Sequence, residues 1–193
     1  MRATTRRILP ALLLAGLAAA CSTPSQVVYL HPLADLSLIK RIAVMPLGNL
    51  SSNTEAHQWV RQILNHELLV QGIFETVEPW EVNRVLLEKQ IPQDGIPSLS
   101  PEQLAELGQE LGAQAFLVGD VLQFEQGRYG NLTAPEIGLS LRLLDVETGI
   151  VIWSATASKS GIGFTERLVG ANGPDLTAAT SELVRNLLST LST

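Results

Sequence analysis

The sequence predicts a single α/β domain in which helices pack on a mixed sheet that ends in an antiparallel meander. In the first half, short apolar runs alternate with amphipathic stretches, a pattern typical of strands connected through helices. Three strand-like segments then follow one another before a last amphipathic stretch, so the expected order is β-α-β-α-α-β-β-β-α. Roughly 170 residues follow Cys21, enough for one domain with a sizeable core.

The first strand and helix of this domain follow shortly after residue 40. The apolar run Ile42–Leu47 predicts a buried strand. Ser52 and Glu55 have the spacing of a capping box, which predicts that a helix begins there. That helix carries apolar residues at helical spacing and is expected to end at Gly72, since glycine readily adopts the left-handed conformation of a helix C-terminus.

A second strand and two further helices complete the first half. Residues 73–77 predict a short strand, and Pro79 lies at the start of the next amphipathic stretch. Ser100 and Gln103 then form another capping-box pattern with a proline in the first turn, which predicts the start of a third helix.

The second half predicts three successive strands and a helix. Residues 115–124 are apolar, and residues 137–143 alternate between large apolar side chains and small or polar ones. Residues 145–149 form a turn pattern that ends in glycine and leads into residues 150–160, which predicts a hairpin. Apolar residues recur at helical spacing over residues 175–191.

The first twenty residues have the organisation of a secretory signal peptide. Three arginines lie among the first seven residues, and residues 8–20 form an apolar run interrupted by one proline. This run is too short to cross a bilayer, which takes about 20 apolar residues. Small residues lead into Cys21, the only cysteine of the chain, so no internal disulfide can form. We expect residues 1–20 to be removed.

The segment from Leu17 to Cys21 resembles the lipobox of bacterial lipoproteins, although Ala18 stands where leucine is commoner. The resemblance implies that Cys21 becomes the first mature residue and is anchored to a membrane by acyl chains. The alternative is an ordinary secretory peptide followed by a spare thiol. Ser22 after the cysteine resembles lipoproteins sorted to the outer membrane, so the expected location is its periplasmic face.

The residues between the cysteine and the first predicted strand have mixed composition and no sustained period. We therefore predict that residues 21–39 are a lipidated N-terminus and short tether, and that residues 40–193 form the domain. A tether of about 18 residues spans at most ~60 Å when fully extended. The domain is thus expected to lie close to its membrane.

The charge balance narrows the class of partner. The chain has 13 basic and 19 acidic residues, and loss of the three leader arginines leaves 10 against 19, a mature net charge of −9. Such a balance disfavours nucleic acid and suits a neutral or cationic partner. The alternative is that the charge serves only solubility.

No motif in the chain indicates catalysis. The sequence lacks a phosphate-binding glycine-rich loop, a pair of metal-binding histidines on one helix face and a Gly-x-Ser-x-Gly elbow. His31, His57 and His66 are too scattered to suggest a metal site. The only thiol is expected to carry lipid. We therefore predict a protein that is not an enzyme and that needs no metal or cofactor.

Two residues in predicted strands have both a structural and a functional interpretation. By alternation, Asp120 points with Phe116, Val118, Leu122 and Phe124, although a carboxylate on an apolar face is costly unless it is paired or solvated. It is expected either to cap a nearby backbone group or to line a polar or acidic surface of an oligomer.

Trp153 lies in the middle of the last predicted strand. Aromatic residues are common in the cores of sheets, so burial is one expectation. Contact with the membrane interface is the other, because tryptophan favours that region of a bilayer.

Five ordered motifs resemble CsgG-type and related periplasmic lipoproteins. They are Ile42–Asn49, Gly72–Val77, Leu86–Gln90, Leu111–Gly119 and Leu144–Ser154. The later part, from Gly138 through Gly161, is most similar to the PelC lipoproteins of Pel polysaccharide export.

The resemblance implies a non-enzymatic protein that forms homo-oligomeric rings beneath the outer membrane. Such a ring would assist export of a polysaccharide through a separate outer-membrane channel. The long inserted amphipathic segments that build a barrel in CsgG are absent from this chain, so it is not expected to form a pore itself. A CsgG-related accessory of protein secretion is one alternative. Another is a regulatory lipoprotein that binds a peptidoglycan synthase and resembles LpoB, whose relatives have longer tethers.

Overall fold

A computed structural model of the chain describes residues 25–93, 96–163 and 168–191. Within these ranges the strands are β1 (Ser25–Leu30), β2 (Arg41–Val44), β3 (Gly48–Asn49), β4 (Glu75–Thr76), β5 (Ala115–Tyr129), β6 (Leu132–Asp145) and β7 (Val151–Lys159). The helices are α1 (Ala56–Gln71), α2 (Pro79–Glu88), α3 (Pro101–Leu111) and α4 (Leu176–Ser189). This order contains every predicted element and adds two strands, β1 and β3.

The strands of the described ranges form one mixed sheet. Its order is β1-β7-β6-β5-β2-β4, and β3 also pairs with β5. Strand β2 is parallel to both of its neighbours, because helices connect these strands and return the chain to the same end of the sheet. Strands β5, β6 and β7 are antiparallel. The predicted α/β class with a C-terminal antiparallel meander is therefore confirmed.

Helices cover parts of both faces of the sheet and create two cores. On one face α1 and α4 pack over a large cluster that includes Leu64, Leu139, Leu187 and Trp153. On the other face α2 and α3 pack over a smaller cluster around Phe116. Helix α1, which follows β2, therefore lies on one face of the sheet, and helix α2, which follows β4, lies on the opposite face.

Strand β1 lies in the segment that the sequence predicts as a tether. All six of its residues are in antiparallel register with β7, from Ser25 opposite Ser158 to Leu30 opposite Trp153. The prediction of a tether is therefore wrong for these residues. The strand shows no period-two pattern because four consecutive apolar residues at its end are exposed on both faces.

The two predicted capping boxes have different outcomes. Ser100 accepts a hydrogen bond from the backbone of Gln103, whose side chain in turn accepts one from the backbone of Ser100, so that box is confirmed. The box from Ser52 to Glu55 does not form. Helix α1 begins at Ala56, one residue after Glu55. The side chain of Asn53 instead accepts a hydrogen bond from the backbone N–H of Glu55 at 3.0 Å.

Candidate functional site

Strand β1 forms an exposed apolar edge of the sheet. The exposed fractions of Val27, Val28, Tyr29 and Leu30 are 71%, 43%, 47% and 45%. In the described part of the chain no strand pairs with the outer edge of β1, so its outward backbone groups are available to a partner. A long apolar edge of this kind is a template for pairing with another chain.

A strip of sheet face beside this edge is polar and only partly covered. Asp120, Ser140, Thr156 and Val27 lie opposite one another on four neighbouring strands and therefore share one face. The hydroxyl of Thr156 donates a hydrogen bond to that of Ser140 at 3.2 Å. We call this row of residues, together with Arg142 and Tyr29 in the adjacent row, the open face.

Asp120 is the acidic member of the open face. Its Oδ2 lies 3.5 Å from Nη2 of Arg142, and the two side chains are 36% and 40% exposed. Gly48 on β3 makes room for the carboxylate, since a Cβ there would lie 2.2 Å from Oδ1 of Asp120. A half-exposed pair of this kind contributes roughly 0–1 kcal/mol. Among the described residues its partner is therefore an arginine side chain and not the backbone group that a cap would need. The carboxylate is also accessible, and its role in an oligomer stays a prediction.

Strand β5 places only part of the predicted apolar face beside Asp120. Phe116 and Val118 lie in the core under α2 and α3, as alternation predicts. A register shift between Val121 and Gln123 then moves Phe124 into the opposite core, so its predicted position is wrong. A bulge inserts an extra residue and inverts the alternation beyond it.

Trp153 is not available to a membrane. Its side chain is 0% exposed, and its Nε1 donates a hydrogen bond to Oγ1 of Thr190 at 3.0 Å. The interpretation of Trp153 as a membrane-interface residue is therefore wrong. The alternative, burial in the sheet core, is correct.

Cys21 lies outside the described residues, and Ser25 at the start of β1 follows it by four positions. Four residues of extended chain span at most ~14 Å. Any anchor at Cys21 therefore holds the start of β1 within that distance.

The histidines do not come together. His57 approaches Asn49 at 3.4 Å, and Nδ1 of His31 accepts a bond from the backbone of Leu33. Over the ranges that the structure describes, no group of three metal-binding side chains is positioned to hold an ion. None of the helices in those ranges combines the length and apolar character needed to cross a bilayer.

Comparison with solved structures supports the fold. The PelC dodecamer from Paraburkholderia phytofirmans is 20% identical, with a TM-score of 0.60 over 88% of this chain and 97% of that chain. Lipoprotein GNA1162 from Neisseria meningitidis is 18% identical, with a TM-score of 0.58 over 79% of this chain and 98% of that chain. The resemblance to PelC is thus supported, whereas the broader CsgG label receives no support. No curated protein matches the chain.

A family model provides the assignment. The model described as peptidoglycan-synthase activator LpoB matches residues 39–158, which is more than half of the chain. The matched residues contain β2 to β6, α1 to α3 and nearly all of β7, and they exclude β1 and α4. The chain therefore belongs to the peptidoglycan-synthase activator LpoB family.

Proposed function

We propose that this chain is a non-enzymatic lipoprotein of the outer membrane that assembles with copies of itself and assists export of a polysaccharide. The observation that carries the proposal is the exposed apolar edge of β1, which lies four residues after the predicted lipid attachment site Cys21. An anchor at Cys21 would hold the edges of neighbouring copies at the same height above the membrane.

The similarity to PelC supports self-assembly. The PelC match covers 88% of the chain and therefore extends beyond the 39–158 region of the family model. The PelC structure is a dodecamer. Assembly of this chain through the apolar edge of β1 would remove apolar residues from water, which contributes roughly 25 cal/mol for each Å² of apolar surface buried.

The charge of the mature chain supports a neutral or cationic polymer as the exported partner. Its 10 basic and 19 acidic residues leave an excess of carboxylates, and Asp120 exposes one of these on the open face. Repeated around a ring, this carboxylate would form an acidic band that attracts a cationic chain. A separate outer-membrane channel would complete the route.

The family assignment favours a second candidate function, activation of a peptidoglycan synthase. In that role the edge of β1 would bind a synthase instead of another copy of the chain. Because Ser25 begins the sheet, the chain between Cys21 and the domain is very short. The synthase would therefore have to approach the membrane that holds the anchor.

The oligomeric state distinguishes the two functions. We expect the mature wild-type chain to be an oligomer by native mass spectrometry, and the double variant Val27→Lys with Tyr29→Lys to be a folded monomer. Both residues lie on the exposed apolar edge strand β1, where burying a charge against a second copy is costly. Leu87→Lys on α2 is the control, because Leu87 is 79% exposed away from this edge, and it should stay oligomeric. A strictly monomeric wild type that stimulates a synthase would contradict the export proposal.

Reversal of the open-face carboxylate tests the electrostatic part of the proposal. Asp120→Lys is expected to leave assembly intact and to reduce secretion of the polymer, since the acidic band becomes basic. Polymer in the culture medium is the measurement. Glu147→Lys is the matched control, because Glu147 is an exposed acid in the turn between β6 and β7. Normal secretion by an assembled Asp120→Lys ring would remove the idea of electrostatic guidance.

A further inference from the structure

A cleft separate from the open face lies at the carboxyl ends of β2 and β4. Its volume is about 350 Å³, and Pro46 and Leu47 line it where the chain leaves β2. Helix α1 follows on one face of the sheet, whereas α2 follows β4 on the opposite face. A crevice between adjacent parallel strands whose connections diverge in this way is the usual ligand site of open α/β sheets.

Arg61 of α1 is the only arginine, lysine, aspartate or glutamate among the described residues that line this cleft. Its Nε and Nη2 donate hydrogen bonds to the carbonyl oxygen of Val44 at 3.1 and 2.9 Å. Its Nη1 donates to Oδ1 of Asn83 on α2 at 2.8 Å. These bonds fix the guanidinium between the end of β2 and the two helices.

The guanidinium retains capacity for a ligand. Of its five N–H groups, one on each terminal nitrogen has no acceptor among the described residues. In the same ranges no carboxylate lies within ion-pair distance of Arg61. Burial lowers the pKa of Arg61 to about 10, so the group remains charged at neutral pH without a counter-ion. A partly buried cation in this state is costly and favours an anion.

The other polar groups of the cleft are amides and one imidazole, and they can donate or accept hydrogen bonds. They are His57, Gln58, Gln62, Asn65, Asn83 and Gln93. Asn65 is only 9% exposed, and its Oδ1 accepts no hydrogen bond from the described residues, whereas its Nδ2 donates to the carbonyl oxygen of Arg61. Neutral amides around one cation suit a ligand that combines a single negative charge with hydroxyl or amide groups.

We propose that this cleft binds a small carboxylate-bearing ligand whose carboxylate is anchored by the guanidinium of Arg61. A carboxylate accepts two parallel N–H bonds from an arginine fork, which matches the pair of free N–H groups. The cleft volume is in the range of small-molecule sites. A sugar acid and the C-terminus of a short peptide share this chemistry.

Calorimetry and NMR of the mature chain test the proposal with named probes. Glucuronate represents a sugar acid, and N-acetyl-dialanine represents a peptide C-terminus. N-acetylglucosamine is the neutral control, and inorganic phosphate tests for general anion binding. We expect one of the two carboxylates to bind and to shift the side-chain Nε–H signal of Arg61 in the wild-type protein. If glucuronate binds more tightly, the natural ligand is a sugar acid; if N-acetyl-dialanine binds more tightly, it is a peptide C-terminus. Absence of binding by both acids, or equally tight binding of N-acetylglucosamine or phosphate, would overturn the proposal.

Variants of two arginines, one in the cleft and one on the exposed surface, test whether the ligand binds in the cleft. Arg61→Lys keeps the charge but loses the planar fork, so affinity is expected to fall about tenfold. Arg84→Lys on α2 is the control, because Arg84 pairs with Glu88 on the exposed side of that helix. Unchanged affinity in Arg61→Lys would contradict the assigned anchor. If this variant does not fold, the side-chain Nε–H signal of Arg61 in the wild-type protein still shows whether the acid contacts this residue.

A carboxylate of the chain itself is the competing explanation. Asp94 follows the lining residue Gln93 in the sequence and lies outside the described residues. Asp94→Asn is expected to bind the acid as the wild type does. Binding that appears only in Asp94→Asn would mean that this aspartate neutralises Arg61, and it would overturn the proposal.

Discussion

Replacing Trp153 with alanine is expected to lower the free energy of unfolding by about 3–5 kcal/mol, the usual cost of truncating a buried tryptophan. The side chain is 0% exposed in the core between the sheet and helices α1 and α4. The substitution also removes the hydrogen bond to Thr190, whose hydroxyl follows the end of α4. Chemical denaturation monitored by circular dichroism measures the change.

Trp80→Ala is the matched control for this prediction. Trp80 lies on α2 and is 64% exposed, so its removal is expected to change the free energy of unfolding by about 0.5 kcal/mol or less. If both variants lost the same stability, the core position of Trp153 would be contradicted.

Replacing Cys21 with alanine is expected to move the protein from the membrane fraction to the soluble periplasmic fraction. Each methylene of an acyl chain contributes about 0.8 kcal/mol when it is buried in the bilayer, so two or three chains anchor a protein almost permanently. Cys21 is the only cysteine in the sequence, and no other residue can replace its thioether. Fractionation followed by immunoblotting measures the distribution.

Ser22→Ala, which keeps the cysteine, is the control for lipid attachment and should stay with the membrane. The folded domain of Cys21→Ala should melt at the wild-type temperature, since the substitution lies before β1. An alanine variant that still sediments with membranes would count against the lipid anchor, and so would a wild-type mass without acyl chains.

The elements that the sequence predicts well are those with a clear periodicity. The alternation of β6 and the capping box at Ser100 predict elements that the structure confirms. Gly149 ends the turn before β7 with φ of 70°, as its pattern predicts. In each case the local sequence alone dictates the geometry.

The features that the sequence does not predict depend on distant partners. β1 is recognisable only through its pairing with β7, which lies more than a hundred residues later. Phe124 points to the opposite face from the one that alternation predicts because β5 contains a bulge, and no residue of β5 is a recognisable signal for that bulge.

Arg61 belongs to the same class of unpredicted features. It follows the inward residue Val60 on α1, which hints at a position near the core. The sequence cannot reveal that its guanidinium meets the carbonyl oxygen of Val44. The cleft therefore becomes visible only when the strands are placed side by side.

The register of β1 limits how the strands can be oriented relative to a membrane that holds Cys21. Ser25 lies in one cross-strand row with Gln123, through Ser158 and Gly138. From that row β5 continues for six more residues to Tyr129, so the turn at Gly130 projects about 23 Å further in the direction of the anchor. Cys21 reaches at most ~14 Å in that direction. If Cys21 is acylated as we propose, strands perpendicular to the bilayer would bring the hairpin tip to the membrane surface or into it. We therefore expect the strands to be tilted away from the membrane normal.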